Sequence, residues 1–386
     1  MRVLHIITGL GVGGAEQQLR LLLRRMPVDC DVVTLTNPGP VADGLHADGV
    51  SVTHLGMGGN RDLAALPRLT RLIRRGRYDL VHTHLYRACV YGRIAARLAG
   101  VRAIATEHSL GERYIEGRPL TRSARGLYLC TERLGSSTVA VSATVADRLR
   151  AWGVPARRIH VVPNGIDGAR FRHDPEVRAA TRALLDIPAD AFVVGGVGRL
   201  VPGKRFGLLV RAVAALPGVR LLLAGDGPEL EALRALARRL GAGGRVHFLG
   251  ECDALPDGPH AGPTVPAVLD AVDVFVSASD EESFGLATVE ALAAGLPVLY
   301  AACPALDDLS AEPVPGAVRV PGGAETIEAA LRHQLELGVR RLEPPAVVGH
   351  YDIARSATSL LGVYARTVEA APTVPRVRPP FVTPVP

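Results

Sequence analysis

Two stretches in the second half of the chain gather cations and carboxylates close together in sequence. In GRLVPGKRF (198–206), Arg199 ends an apolar run and Lys204 follows a Val-Pro-Gly turn; Lys204 is the single lysine beside 43 arginines. An ammonium is a compact charge with rotatable donors, whereas a guanidinium is a planar fork, so the choice of Lys at one place points to a chemical need. Two cations at a strand end, next to a helix N-terminus with its partial positive charge, suit a diphosphate. Each cation–phosphate pair at about 4 Å gains roughly 4 kcal/mol at an effective dielectric of about 20, before desolvation. A solvated basic turn is the bland use of the same residues.

The second stretch, DEESFGLATVEALAAGLPV (280–298), places Glu282 and Glu290 eight residues apart. The pattern reads as Glu282 in a loop, Ser283 as N-cap, and Glu290 in the first turns of a helix closed by Gly295 and Pro297. Free N–H groups near Phe284, Gly285 and Leu286 would then point into the mouth that holds Lys204. Ionised carboxylates only accept hydrogen bonds, and sugar hydroxyls supply the donors. Taken without its neighbours, the stretch reads equally as a solvated acidic loop.

The first half contributes GLGVGGAE (9–16), in which Gly9, Gly11 and Gly14 satisfy G-x-G-x-x-G. A dinucleotide site also needs an acid at the end of the second strand, where Thr36 and Asn37 stand instead, which argues against a nicotinamide cofactor. The glycines still permit close backbone approach to a ligand. His108, in ATEHSLGE, falls at a strand's carboxyl edge, where both a structural and a ligand-facing role are open. His82 and His84 have no third residue at metal spacing and read as structural.

These residues require elements to carry them. Short apolar runs alternate with segments of helical period, as in a parallel sheet covered on both faces, and the series runs twice. The class is therefore α/β. Residues 1–168 form the first domain, 169–178 a polar linker and 179–351 the second domain. A helix near 352–370 follows without another strand, then a proline-rich, disordered tail, 371–386. Residues 1–174 carry 25 Arg against 14 acids and the remainder 19 cations against 24 acids, so a basic half joins an acidic one. The basic residues lack aromatic interleaving, which argues against nucleic acid. The Arg-rich segment LPRLTRLIRRGRYD (66–79) reads as an outer helix with a solvated face, with peripheral contact to an anionic membrane surface as its second use. Five cysteines at unpatterned spacing fit a reducing compartment, and no apolar run reaches the roughly 18 residues of a membrane span. The opening MRVLHIITGLG reads as a first buried strand, giving a cytoplasmic protein, with a peripheral place at the inner membrane face as the alternative.

GGAE, TEH, VPNGID, GRLVPGK, LAGDGPE, VHFLG and ESFGLATVEALAAGLPV together resemble glycosyltransferase family 4, over about residues 1–370. The resemblance implies the GT-B fold, two Rossmann-like doubly wound parallel-sheet domains facing a cleft, with the last helix crossing back to the first domain. It implies that Arg199 and Lys204 grip the diphosphate of a nucleotide-sugar, Glu282 the sugar hydroxyls and Glu290 the ribose. The N–H groups of Gly285 and Leu286, within the donor-binding run Ser283–Leu286, support sugar and phosphate. His108 and the Gly13–Gly14 backbone close over the donor from the first domain.

The implied reaction is retaining transfer of a sugar from a nucleoside-diphosphate donor to a hydroxyl acceptor, by front-face attack. The acceptor is a polysaccharide, a lipid-linked or inositol-type compound, or another small molecule. No Asp-x-Asp pair follows a strand, so neither a metal nor another cofactor is expected; fixed cations and amide dipoles take that place. An epimerase or hydrolase of nucleotide-sugars, or a non-catalytic binding protein, would use the same fold. Two departures stand out: a Pro/Gly-rich insertion at 252–264, beside the expected base pocket, and AACPALDDL (301–309) where the family often has a glycine pair leading to proline and glutamate.

Overall fold

The computed structural model describes residues 1–112, 114–116, 118–253, 262–309 and 313–369; the tail at 371–386 and most of the 252–264 insertion lie outside them. Thirteen strands form two parallel sheets. The first contains β1 (Arg2–Gly9), β2 (Asp29–Asn37), β3 (Ser51–His54), β4 (Leu80–His84) and β5 (Arg102–Glu107). After a short antiparallel hairpin, β6 (Tyr114–Ile115) and β7 (Arg118–Pro119), come β8 (Ser137–Ala140) and β9 (Ile159–Val161). The order is β3-β2-β1-β4-β5-β8-β9. The second contains β10 (Val193–Val197), β11 (Arg220–Ala224), β12 (Val246–Gly250), β13 (Val274–Ser277), β14 (Val298–Tyr300) and β15 (Ala317–Arg319), in the order β12-β11-β10-β13-β14-β15.

Both sheets reverse strand order once, between β1 and β4 and between β10 and β13, and such switch points open a crevice at the carboxyl ends. Alternation along each strand feeds two buried faces. Leu4 and Ile6 pack toward the helices Ala65–Gly76 and Tyr86–Ala99, while Val3 packs toward the last helix, Ile353–Glu369. That helix buries Ile353, Ala357, Leu360, Val363 and Tyr364 against Leu80, Ile104 and Val139, a stripe at helical period.

The polar stretch read as a linker is a 3₁₀ turn, Gly168–Phe171, followed by a helix, Pro175–Leu184. Asp174 caps that helix, accepting from the Glu176 and Val177 N–H groups at 2.8 and 3.3 Å. His173 meets Asp270 at 2.7 Å, and Arg178 and Arg182 converge on buried Asp273 at 2.5 and 2.9 Å. The junction is therefore pinned to the second unit. In the Arg-rich helix Ala65–Gly76, Leu69 and Ile73 are fully buried, while Arg68 bonds Asp62 and Arg74 the Leu98 carbonyl, as an outer helix requires. No helix among the described residues is long and apolar enough to cross a membrane.

Candidate active site

The carboxyl end of β10 delivers Arg199, and a 3₁₀ turn, Pro202–Lys204, brings Lys204 to the mouth two residues before the helix Phe206–Ala214. The Lys204 Nζ lies 2.5 Å from Glu282 Oε1, with the lysine about a third exposed and the glutamate mostly covered. The two residues predicted for phosphate and sugar thus neutralise one another in the free protein. Arg199 is exposed and close enough to Glu16, across the cleft, to favour its carboxylate.

Glu282 leaves the end of β13 in a loop, as its position predicts, but Ser283 caps nothing. The helix begins at Leu286 and runs to Ala293, with Gly285 as a left-handed N-cap at φ +101°. A side chain there would put its Cβ 2.4 Å from the Cys303 Sγ, so glycine is demanded by both backbone and space. The Phe284 side chain turns into the core, its ring edge-on to Tyr351 at 4.9 Å, and its carbonyl accepts from the Ala305 N–H at 2.8 Å. Phe284 therefore anchors the loop, and the N–H groups of Leu286 and Ala287, ahead of the Thr288 N–H that bonds the Gly285 carbonyl at 3.1 Å, are what the helix can offer an anion. Glu290 lies on this helix, where burial pushes its carboxyl up to about 7 against a weaker opposing pull from Arg170.

Gly13 and Gly14 start the helix Gly14–Leu23 after β1, and a Cβ on Gly14 would stand 3.4 Å from Leu286 Cδ1 of the other unit. The glycine loop and the acidic-loop helix thus meet across the cleft. Glu16, which the motif contains but whose role its spacing did not reveal, folds its carboxylate back on Gly13, and burial pushes it up to about 7. Two further bridges are invisible in the motifs. Arg148 Nη1 donates to the Leu110 and Glu282 carbonyls at 2.8 and 3.0 Å, and its Nη2 pairs with Glu281 at 3.2 Å. Thr144 gives Asp308 its backbone N–H and its hydroxyl at 2.9 and 2.7 Å.

His108 sits at the end of β5, where the loop toward Glu281 begins, and is joined to other histidines. His84 and His82 were read as lacking a third partner; strand pairing corrects this. The register of β1 on β4 sets His5 opposite His82, and the ring nitrogens of His5, His82 and His84 lie within 4.8 Å of one another. Next to His84, Leu85 holds φ +71°, a conformation few side chains accept, and the following N–H, of Tyr86, donates to Glu116.

Two parallel-sheet units meeting at their carboxyl edges, with cations, carboxylates and a helix N-terminus gathered there, define a protein of the GT-B fold. Residues 12–170 match the model of Glycosyltransferase Family 4, and residues 177–344 that of Glycosyl transferases group 1. The chain is 33% identical to the D-inositol 3-phosphate glycosyltransferase 1 of Catenulispora acidiphila over 83% of its own length and 82% of that protein's. It is 45% identical to the lipopolysaccharide core biosynthesis glycosyltransferase LpsE of Rhizobium meliloti, over 40% of this chain and 41% of that one. Among solved structures, Anabaena HepE in complex with UDP-glucose superposes with a TM-score of 0.82 at 22% identity, covering 95% of this chain and all of that one. The chain belongs to the group 1, family 4 glycosyltransferases.

Proposed function

We propose that this enzyme transfers a sugar from a nucleoside-diphosphate donor to a hydroxyl acceptor with retention, without a metal. The observation that carries the reading is the Lys204–Glu282 pair at the switch point of the second sheet. A cation and a carboxylate held against each other need only part slightly to receive the two ends of one ligand. The diphosphate takes Lys204 and Arg199, and the sugar hydroxyls take Glu282. The N-terminus of the helix Leu286–Ala293 adds amide donors where charge develops on the leaving group, and preorganised donors of this kind lower the barrier. Glu290 receives the ribose, and His108 with Gly13–Gly14 covers the donor from the first unit.

Retention without a protein nucleophile calls for front-face attack, with the departing phosphate taking the acceptor's proton. The curated relative acts, by its name, on D-inositol 3-phosphate. An anionic acceptor also suits the basic first half, and we take a phosphorylated polyol as the first acceptor to test. The test is a thermal-shift screen against UDP-, GDP- and ADP-sugars, then transfer assays on the donor that stabilises most. A nucleotide-sugar should raise the melting temperature in wild type and much less in Lys204→Ala. Rapid donor turnover with no acceptor present would instead favour an epimerase or hydrolase.

A further inference from the structure

Three buried imidazoles form one hydrogen-bonded array. His5 Nδ1 is 3.0 Å from His84 Nε2, and His84 Nδ1 is 3.0 Å from His108 Nε2. The two outer nitrogens, His5 Nε2 and His108 Nδ1, are buried and have no hydrogen-bond partner among the described residues. The carboxylate adjacent in sequence to His108 is already engaged, Glu107 Oε1 accepting from the Tyr128 hydroxyl at 2.7 Å. His82 stands beside the array but outside it, its nitrogens bonded to the Tyr364 and Thr106 hydroxyls, each at 2.7 Å. Burial keeps the rings uncharged, lowering His5 to about 3 and His108 to about 4, with His84 well below its ordinary value.

Three neutral rings carry three N–H protons, and the two links consume one each. The third must therefore sit at one end. If it is on His5 Nε2, every link points from His108 toward His5 and His108 Nδ1 is a bare acceptor. If it is on His108 Nδ1, every link is reversed. The array has two states, and in each of them all three rings share one tautomer.

We propose that His84 and His5 are positioning residues that set, as one unit, whether His108 offers its Nδ1 as donor or acceptor to the bound sugar. This rests on reading His108 as a donor-sugar contact. A hydroxyl can give or take a hydrogen bond; in passing from one state to the other each linking proton crosses its bridge, one proton enters at one end nitrogen and another leaves to water at the other, so the buried nitrogen comes to match whichever the ligand presents. No net charge enters the core in the process, which a single protonated imidazole would require.

The test combines nitrogen-15 spectroscopy of the imidazoles with three variants of the full-length enzyme. His5, His84 and His108 should show the same tautomer in the free protein, and the same again with the donor bound. Mixed tautomers, or a charged ring at neutral pH, would overturn the array. His84→Phe should lower kcat/KM at least about tenfold with little change in melting, through loss of His108's partner. His84→Asn, whose amide replaces the partner atom facing His108, should recover a substantial part of that loss despite leaving more empty space; a purely packing role would rank the two variants the other way. Normal rates in His84→Phe alongside an impaired His108→Phe would sink the array alone, whereas normal rates in both would sink the reading of His108. Zinc ion alone, added at one equivalent, should leave these resonances in place; stoichiometric displacement would make His5, His82 and His84 a metal site instead.

Discussion

Lys204 is held by charge. Its Nζ reaches Glu282 as a compact point charge, which a planar fork would meet with a different geometry. Lys204→Ala should lower kcat/KM at least about tenfold, as a lost charged contact of about 2–5 kcal/mol implies, and Lys204→Arg should not restore it. Steady-state kinetics on the two variants checks both statements. Glu290 supplies a pH test. Its folded carboxyl is raised to about 7, above the ordinary range, so the folded state holds a proton the unfolded state has released between those values. That contribution to stability is full below the ordinary carboxyl range and is lost as pH rises toward 7; Glu16, raised to the same value, acts in the same window. Ribose binding runs the opposite way, because it needs the charged acceptor. Nucleotide affinity should climb through pH 7 in calorimetry, and Glu290→Gln should flatten that climb.

The elements explain which of these residues could be read in advance. Buried parallel strands such as β1 and β11 announce themselves as apolar runs, whereas the edge strand β3 is short and largely exposed. Lys204, Glu282 and Glu290 were legible because chemistry and spacing lie within one local stretch. Ser283 misled because an N-cap serine is a statistical preference. What starts the helix is Gly285, forced left-handed over Cys303, which comes from a different part of the chain. Gly285→Ala should therefore destabilise by about 1–3 kcal/mol from backbone strain alone, more with the steric clash, and Cys303→Ala should relieve only the clash. Chemical denaturation of the single and double variants separates the two parts. His5 was silent for a different reason: its partnership depends on the register between β1 and β4, which no local pattern encodes.

Across the whole molecule the proposed reaction has two units meet on one ligand, and the bridges between them were the least legible feature. Arg148 ties the Leu110 carbonyl to the Glu281–Glu282 loop, and Thr144 ties the first unit to Asp308. Each bridge spans more than a hundred positions, and its donor, Arg148 or Thr144, lies in none of the stretches that the sequence marks out. Arg148→Ala combined with Asp308→Ala should raise the donor KM and enlarge the radius of gyration in small-angle scattering, while each unit keeps its fold. At the centre stands the claim that fixed cations and amide dipoles, with no metal, hold the departing diphosphate. Calorimetry with the nucleoside diphosphate that best stabilises the protein, run with a chelator on wild type and Lys204→Ala, tests it most directly. The account predicts wild-type affinity untouched by chelator and at least about tenfold weaker binding in the variant; chelator-sensitive binding, or equal affinity in both proteins, would contradict it.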